Sequence, residues 1–188
     1  MTEIRTTAGG QTVDPFTTRS GAVGSPPSHY GAHVAEQRAL AAGDAVVLLA
    51  DRGVITITGP DRLTWLDSLM SQALAKLRPG ESAEALLLDP QGRIEHVMRV
   101  LDEGETAWLL VDAAAAPALA TWLDRMRFML RVEVADRSAD FATIGDLGAG
   151  ELPHAVGAVG TPLQWRDPWP SVVVGGVQYA AAEAHPAA

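Results

Sequence analysis

The run Ala83–Leu101, AEALLLDPQGRIEHVMRVL, leaves few folds open. Two apolar segments flank Asp89-Pro90-Gln91-Gly92-Arg93, and each residue type of that connector favours a turn for its own steric or hydrogen-bonding reason. A connection this short joins antiparallel strands, because parallel strands need a crossover of a dozen residues or more. The pattern predicts strands over 83–88 and 94–101. A third apolar run, Thr106–Val111 (TAWLLV), follows the turn Asp102-Glu103-Gly104-Glu105 and predicts a meander.

Elsewhere the signals alternate between the two periods. Gly53–Thr58 (GVITIT) is β-branched and strand-like, and Ala45–Ala50 is a shorter apolar run. Gly59-Pro60-Asp61 opens a helix in which Leu63, Leu66, Met70, Ala73 and Leu77 recur at helical spacing until Pro79-Gly80. Asp112 is placed to cap a second helix, with Pro117 near its start and Leu119, Trp122, Leu123 and Met126 on its apolar face. A helix over 29–42 ends at Gly43, and short strands over 132–135 and 141–144 close the set. Hairpin-linked strands with interspersed helices predict an α+β fold, an antiparallel sheet flanked by helices and incomplete at the C-terminus. Three units are expected: a disordered leader over 1–28, an α+β domain over 29–144, and a Gly/Pro/Ala-rich linker over 145–188. The linker holds one possible hairpin through Gly175-Gly176.

A net charge of −9 argues against a general nucleic-acid or anionic-membrane binder. With no cysteine, thiolate metal sites and thiol nucleophiles are excluded within these residues. No apolar run approaches the roughly 20 residues of a membrane helix, so the expected location is the cytoplasm.

Candidate chemistry is sparse. His29 and His33 share a helical face at i, i+4, but no third ligand is evident, and a solvated helix start accounts for them better than a metal site. The glycines of 145–150 and 157–160 match no phosphate-loop fingerprint, and flexible linker is the better account. Glu95 and His96 are adjacent on a strand, so ideal alternation points them to opposite faces and denies them a shared substrate. His96 then lies with Ile94, Met98 and Val100, and Glu95 with Val97, Arg99 and Leu101. Trp108 shares a face with Thr106, Leu110 and Asp112; it is a core residue or a flat wall for a planar ligand. No catalytic residue is assigned.

The segment from Asp51-Arg52-Gly53 through Thr58-Gly59-Pro60-Asp61, Pro79-Gly80-Glu81 and the Asp89…Gly92-Arg93 hairpin to Trp108-Leu109-Leu110-Val111-Asp112 resembles a known family. That family is the folate-binding domain shared by YgfZ-type proteins and the glycine-cleavage T-protein, an aminomethyltransferase. RMRFMLRVEVAD, from Arg125 to Asp136, resembles the continuation, and the likeness covers roughly residues 29–144. The resemblance implies a tetrahydrofolate pocket with Trp108, Leu110, His96 and Val97 as folate-binding positions. T-proteins carry Gly-Gly-x-x-Asp-Asp in the hairpin; here His96 is taken to stand at the first aspartate and Val97 at the second. Valine cannot accept a proton, which favours the YgfZ-type branch: a folate-binding accessory protein of iron–sulfur cluster assembly or repair and tRNA modification. Iron–sulfur proteins would be its partners. The alternatives are a divergent aminomethyltransferase domain and a non-binding fragment. The YgfZ signature Lys-Gly-Cys-Tyr-x-Gly-Gln is absent, so the resemblance is to the N-terminal part of such proteins.

Overall fold

The computed structural model describes residues 6–8, 11–13, 16, 18–147 and 155–169. The expected hairpin at Gly175-Gly176 lies outside them. In chain order the elements are β1 (Thr6–Ala8), β2 (Gln11–Val13), α1 (His33–Ala41), β3 (Val47–Leu48), β4 (Arg52–Thr58), α2 (Arg62–Leu69), β5 (Ser82–Leu88), β6 (Ile94–Asp102), β7 (Thr106–Asp112), α3 (Ala116–Met126), β8 (Glu133–Asp136) and β9 (Ile144–Gly145).

The architecture is α+β. Five antiparallel strands form the central sheet in the order β5-β6-β7-β4-β8. The meander read from the sequence supplies β5, β6 and β7. β4 then pairs with β7 along its whole length, from Arg52 opposite Asp112 to Thr58 opposite Thr106. β1 with β2, and β3 with β9, form separate two-stranded ladders.

Helices α2 and α3 cover one face. There Ile55, Ile57, Ala85, Met98, Val100, Leu109 and Val111 pack against Trp65, Leu66, Leu119 and Leu123 in one dry cluster. Alternation along β5, β6 and β7 supplies this layer, as each strand sends every second residue to it. Pro117 stands in the first turn of α3, where its missing N–H is not needed. Asp112 does not cap that helix: its carboxylate accepts the Ala114 N–H and shapes the turn before Ala116.

Helix α2 is shorter than the apolar spacing predicts. Met70 turns extended and bridges Leu87 on β5, and the Asp67 carboxylate accepts the Leu74 and Ala75 N–H groups. Leu74 is therefore buried from a loop rather than from a helix. At the start of α2, Arg62 forms a buried two-pronged ion pair with Asp102, Nε to Oδ1 at 2.7 Å and Nη2 to Oδ2 at 2.9 Å. The pair ties the helix to the β6–β7 turn. Among the described residues, no helix is long and apolar enough to cross a membrane.

Candidate functional site

The site lies on the face that the helices do not cover, at the end of β6 that begins with the hairpin. The hairpin is fixed locally. Asp89 accepts the Gln91 and Arg93 backbone N–H groups and the Arg93 Nε, while Gly92 adopts φ +81°. Only a residue without Cβ adopts that conformation at no steric cost. The backbone N–H of Arg93, then its guanidinium, hold the Asp89 carboxyl below its ordinary value.

Two irregularities then open a cleft. The first is a β-bulge: the register passes from Leu87 opposite His96 to Leu88 opposite Ile94, so Glu95 has no partner on β5. Such an extra residue bends its strand and re-aims side chains. The second is a split in the sheet. β6 pairs with β7 only from Arg99 to Asp102, whereas β7 stays paired with β4 out to Asp112. Residues 94–98 thus diverge from the end of β7.

Between the diverging strands lies a cleft of about 380 Å³, lined by Arg52, Glu95, His96, Val97, Asp112 and Ala115. Ligand sites run from roughly 300 to 1,000 Å³, so this one has room for a ring system. Its walls carry both signs of charge. Arg52 lies across the ladder from Asp112, and its Nη2 approaches Asp51 Oδ2 at 3.3 Å. The Arg52 Nε is buried without a hydrogen-bond partner among the described residues. An unpaired buried donor costs about 1–3 kcal/mol, and a ligand acceptor would relieve that cost.

The four positions expected to meet folate are not equivalent. Val97 and His96 line the cleft. Leu110 is half-buried and packs against the cluster formed by Val54, Leu101, Trp108 and Leu163. Trp108 belongs to the same face, opposite Leu101 on β6 and Thr56 on β4, but it is only 7% exposed. Phe141 meets its ring edge-on with centroids 4.9 Å apart, and Leu163 packs in the same cluster. Its Nε1 is buried with no hydrogen-bond partner among the described residues.

One expectation needs correction. Ideal alternation separates Glu95 from His96, yet both line the one cleft, because the bulge breaks alternation and the split exposes the strand's edge. Sequence reading passed over Arg52 and Asp112. Their opposition at the end of two strands becomes visible only through the β4–β7 register.

His29 and His33 meet edge-on at 5.8 Å beside Glu36, whose carboxylate accepts the Tyr30 and Ala32 N–H groups and sets the start of α1. Among the described residues, no three His, Asp or Glu side chains are grouped to hold a metal ion.

No family model matches the chain. An aminomethyltransferase of Synechococcus sp. (strain RCC307) is 32% identical over 125 residues, which cover 66% of this chain and 34% of that protein. An aminomethyltransferase of Synechococcus sp. (strain CC9311) is 26% identical over 139 residues, 70% of this chain and 37% of that protein. The chain thus spans about a third of the length of the curated relatives it matches. Among solved structures, the glycine cleavage system aminomethyltransferase T from Bartonella henselae aligns with a TM-score of 0.45 at 20% identity, over 48% of this chain and 26% of that one. The sequence relatives support an aminomethyltransferase-like domain of the T-protein superfamily; they do not single out the YgfZ-type branch.

Proposed function

We propose that this chain is a tetrahydrofolate-binding domain of the aminomethyltransferase type, with residues 29–144 as the binding unit. The observation that carries the reading is the cleft at the split between β6 and β7. It brings Glu95 and His96 together with Arg52 and Asp112. That the sequence relatives are aminomethyltransferases supports the ligand class.

The residues present fit such a ligand. The buried, unpartnered Nε of Arg52 offers a donor to a ligand carbonyl or carboxylate. Glu95 and Asp112 offer acceptors to ring or amino N–H groups, and Val97 and Leu110 supply apolar contact. Bound tetrahydrofolate supplies the nitrogen nucleophile that takes up a one-carbon unit. Glu95 and His96 are the groups of this chain able to hold or move a proton beside it.

His96 and Val97, taken to stand where T-proteins carry aspartates, favour a second reading. In it the cleft binds folate without transferring an aminomethyl group, as a YgfZ-type accessory protein of iron–sulfur upkeep and tRNA modification would. Calorimetric titration with tetrahydrofolate tests the binding that both readings share. Saturable heat is expected, weakened in Arg52→Met; no heat from the chain would overturn it. Transfer of an aminomethyl group from a lipoyl carrier, abolished in Glu95→Gln, separates the two readings in favour of the transferase.

A further inference from the structure

Trp108 is covered by the chain's own residues 155–166. This segment is a small closed loop: Val156 bridges Pro162, the Leu163 N–H bonds the Ala155 carbonyl, and the Gly157 N–H bonds the Thr161 carbonyl. Being hydrogen-bonded to itself, it can move as one piece. Its hold on the sheet is narrow. Leu163, at 1% exposed, is its sole large apolar side chain in the Trp108 cluster, while Val156 and Val159 face outward.

Polar anchors converge on Glu103, itself buried beside the β6–β7 turn. The Glu103 carboxylate accepts the Ala158 N–H at 3.1 Å, and its backbone carbonyl accepts the Thr161 hydroxyl at 2.9 Å. At the segment's far end, Trp165 donates to the Ala83 carbonyl at the edge strand, the Arg166 N–H bonds the Ser82 hydroxyl, and Arg99 lies over the Trp165 ring. Gly157 permits this approach: a Cβ there would fall 1.3 Å from the Glu103 Oε2.

We propose that residues 155–166 are a strap that closes the Trp108 end of the sheet face, with Leu163 as its plug and Glu103 as its anchor. Water and planar ligands reach Trp108 only when it lifts. The open cleft by Arg52 and Asp112 and the covered wall at Trp108 are then two ends of one binding face. The ligand part of this proposal rests on the folate reading above. Few buried contacts and a self-contained loop place the strap at the low-stability end of the molecule, where lids are drawn from.

The indole N–H of Trp108 reports on closure directly, because it is buried and no hydrogen bond among the described residues protects it. In the ¹⁵N-labelled chain its signal is assigned by its loss in Trp108→Phe. Leu163→Ala removes the plug, and Gly157→Ala sets a methyl against Glu103 without removing apolar contact. Indole exchange is expected to rise about tenfold or more in both variants, and the apparent Kd for tetrahydrofolate to fall by the same factor, because apparent affinity scales with the open fraction. Exchange unchanged in both variants would overturn the strap. So would exchange that rises while a measurable tetrahydrofolate affinity stays constant. Raised exchange with no tetrahydrofolate heat in any of the three chains would sink the folate reading and leave the closure established.

Discussion

Leu109 and Leu110 are neighbours on β7, yet they belong to different environments. Leu109 is fully buried beneath the helices. Leu110 is half-buried on the opposite face, between the Trp108 cluster and the open cleft. The helix face is continuous and apolar, and the buried Arg62–Asp102 pair beside it is held by two hydrogen bonds. The other face is covered at one end by a short strap and parted at the other by a bulge and a sheet split. One side of the sheet is filled by its core, and the other leaves a cleft and, among the described residues, buried polar atoms without a hydrogen-bond partner. The adjacent acids Asp102 and Glu103 show the same division: one anchors a helix, the other the strap.

The comparison can be broken in several ways. Arg62→Ala strands a buried carboxylate and is expected to cost about 3–5 kcal/mol, read as a lower urea midpoint. Glu103→Gln keeps shape and an acceptor oxygen, and should leave that midpoint nearly unmoved. Equal losses would mean that both faces carry stability alike. Next in size, Leu109→Ala should cost about 2–5 kcal/mol, as buried leucines do. Leu110→Ala should cost about 1 kcal/mol, nearer the average for point changes; a matching loss would show the second face to be an equal core. Glu95→Gln is expected to shift stability by no more than about 0.5 kcal/mol while weakening tetrahydrofolate binding. A variant that loses stability but keeps affinity would remove Glu95 from the site.

The smallest effect concerns pH. The carboxyl of Asp89 is held below its reference value of 3.8, first by the Arg93 backbone N–H. Its contribution is therefore present above that value and is lost as pH falls through the lower folded value. Amide protection in the 89–93 turn, relative to the intrinsic exchange rate at each pH, should fall below about pH 3.8 before that of the helix-face amides. Simultaneous loosening of both would count against a separately stabilised hairpin.

How much was legible in the sequence depends on the range of the forces involved. The Asp89–Arg93 turn, the alternation of β5 to β7 and the apolar face of α3 are local, and each follows from side-chain chemistry within a dozen residues. The end of α2 was misread, because Met70, whose N–H closes the last helical turn on Leu66, turns extended and bridges Leu87, seventeen positions on. The site was half legible. Trp108 and Leu110 were read onto one face of β7, and Val97 with Arg99 and Leu101 onto one face of β6; that these two faces join follows only from the pairing of Leu101 with Trp108 and Arg99 with Leu110. Glu95 and His96 were separated because alternation assumes an ideal ladder, and a bulge is a property of the pair of strands rather than of one.

The sequence alone determined the antiparallel meander, its helical cover and its likeness to a folate-binding family, since periodicity and turn chemistry are written residue by residue. The tertiary structure decided where β6 leaves β7, that Arg52 and Asp112 face Glu95 and His96 across a gap, and that residues 155–166 lie over Trp108. Those outcomes depend on pairing between strands, from Arg99 with Leu110 to Arg52 with Asp112, which local propensity does not encode.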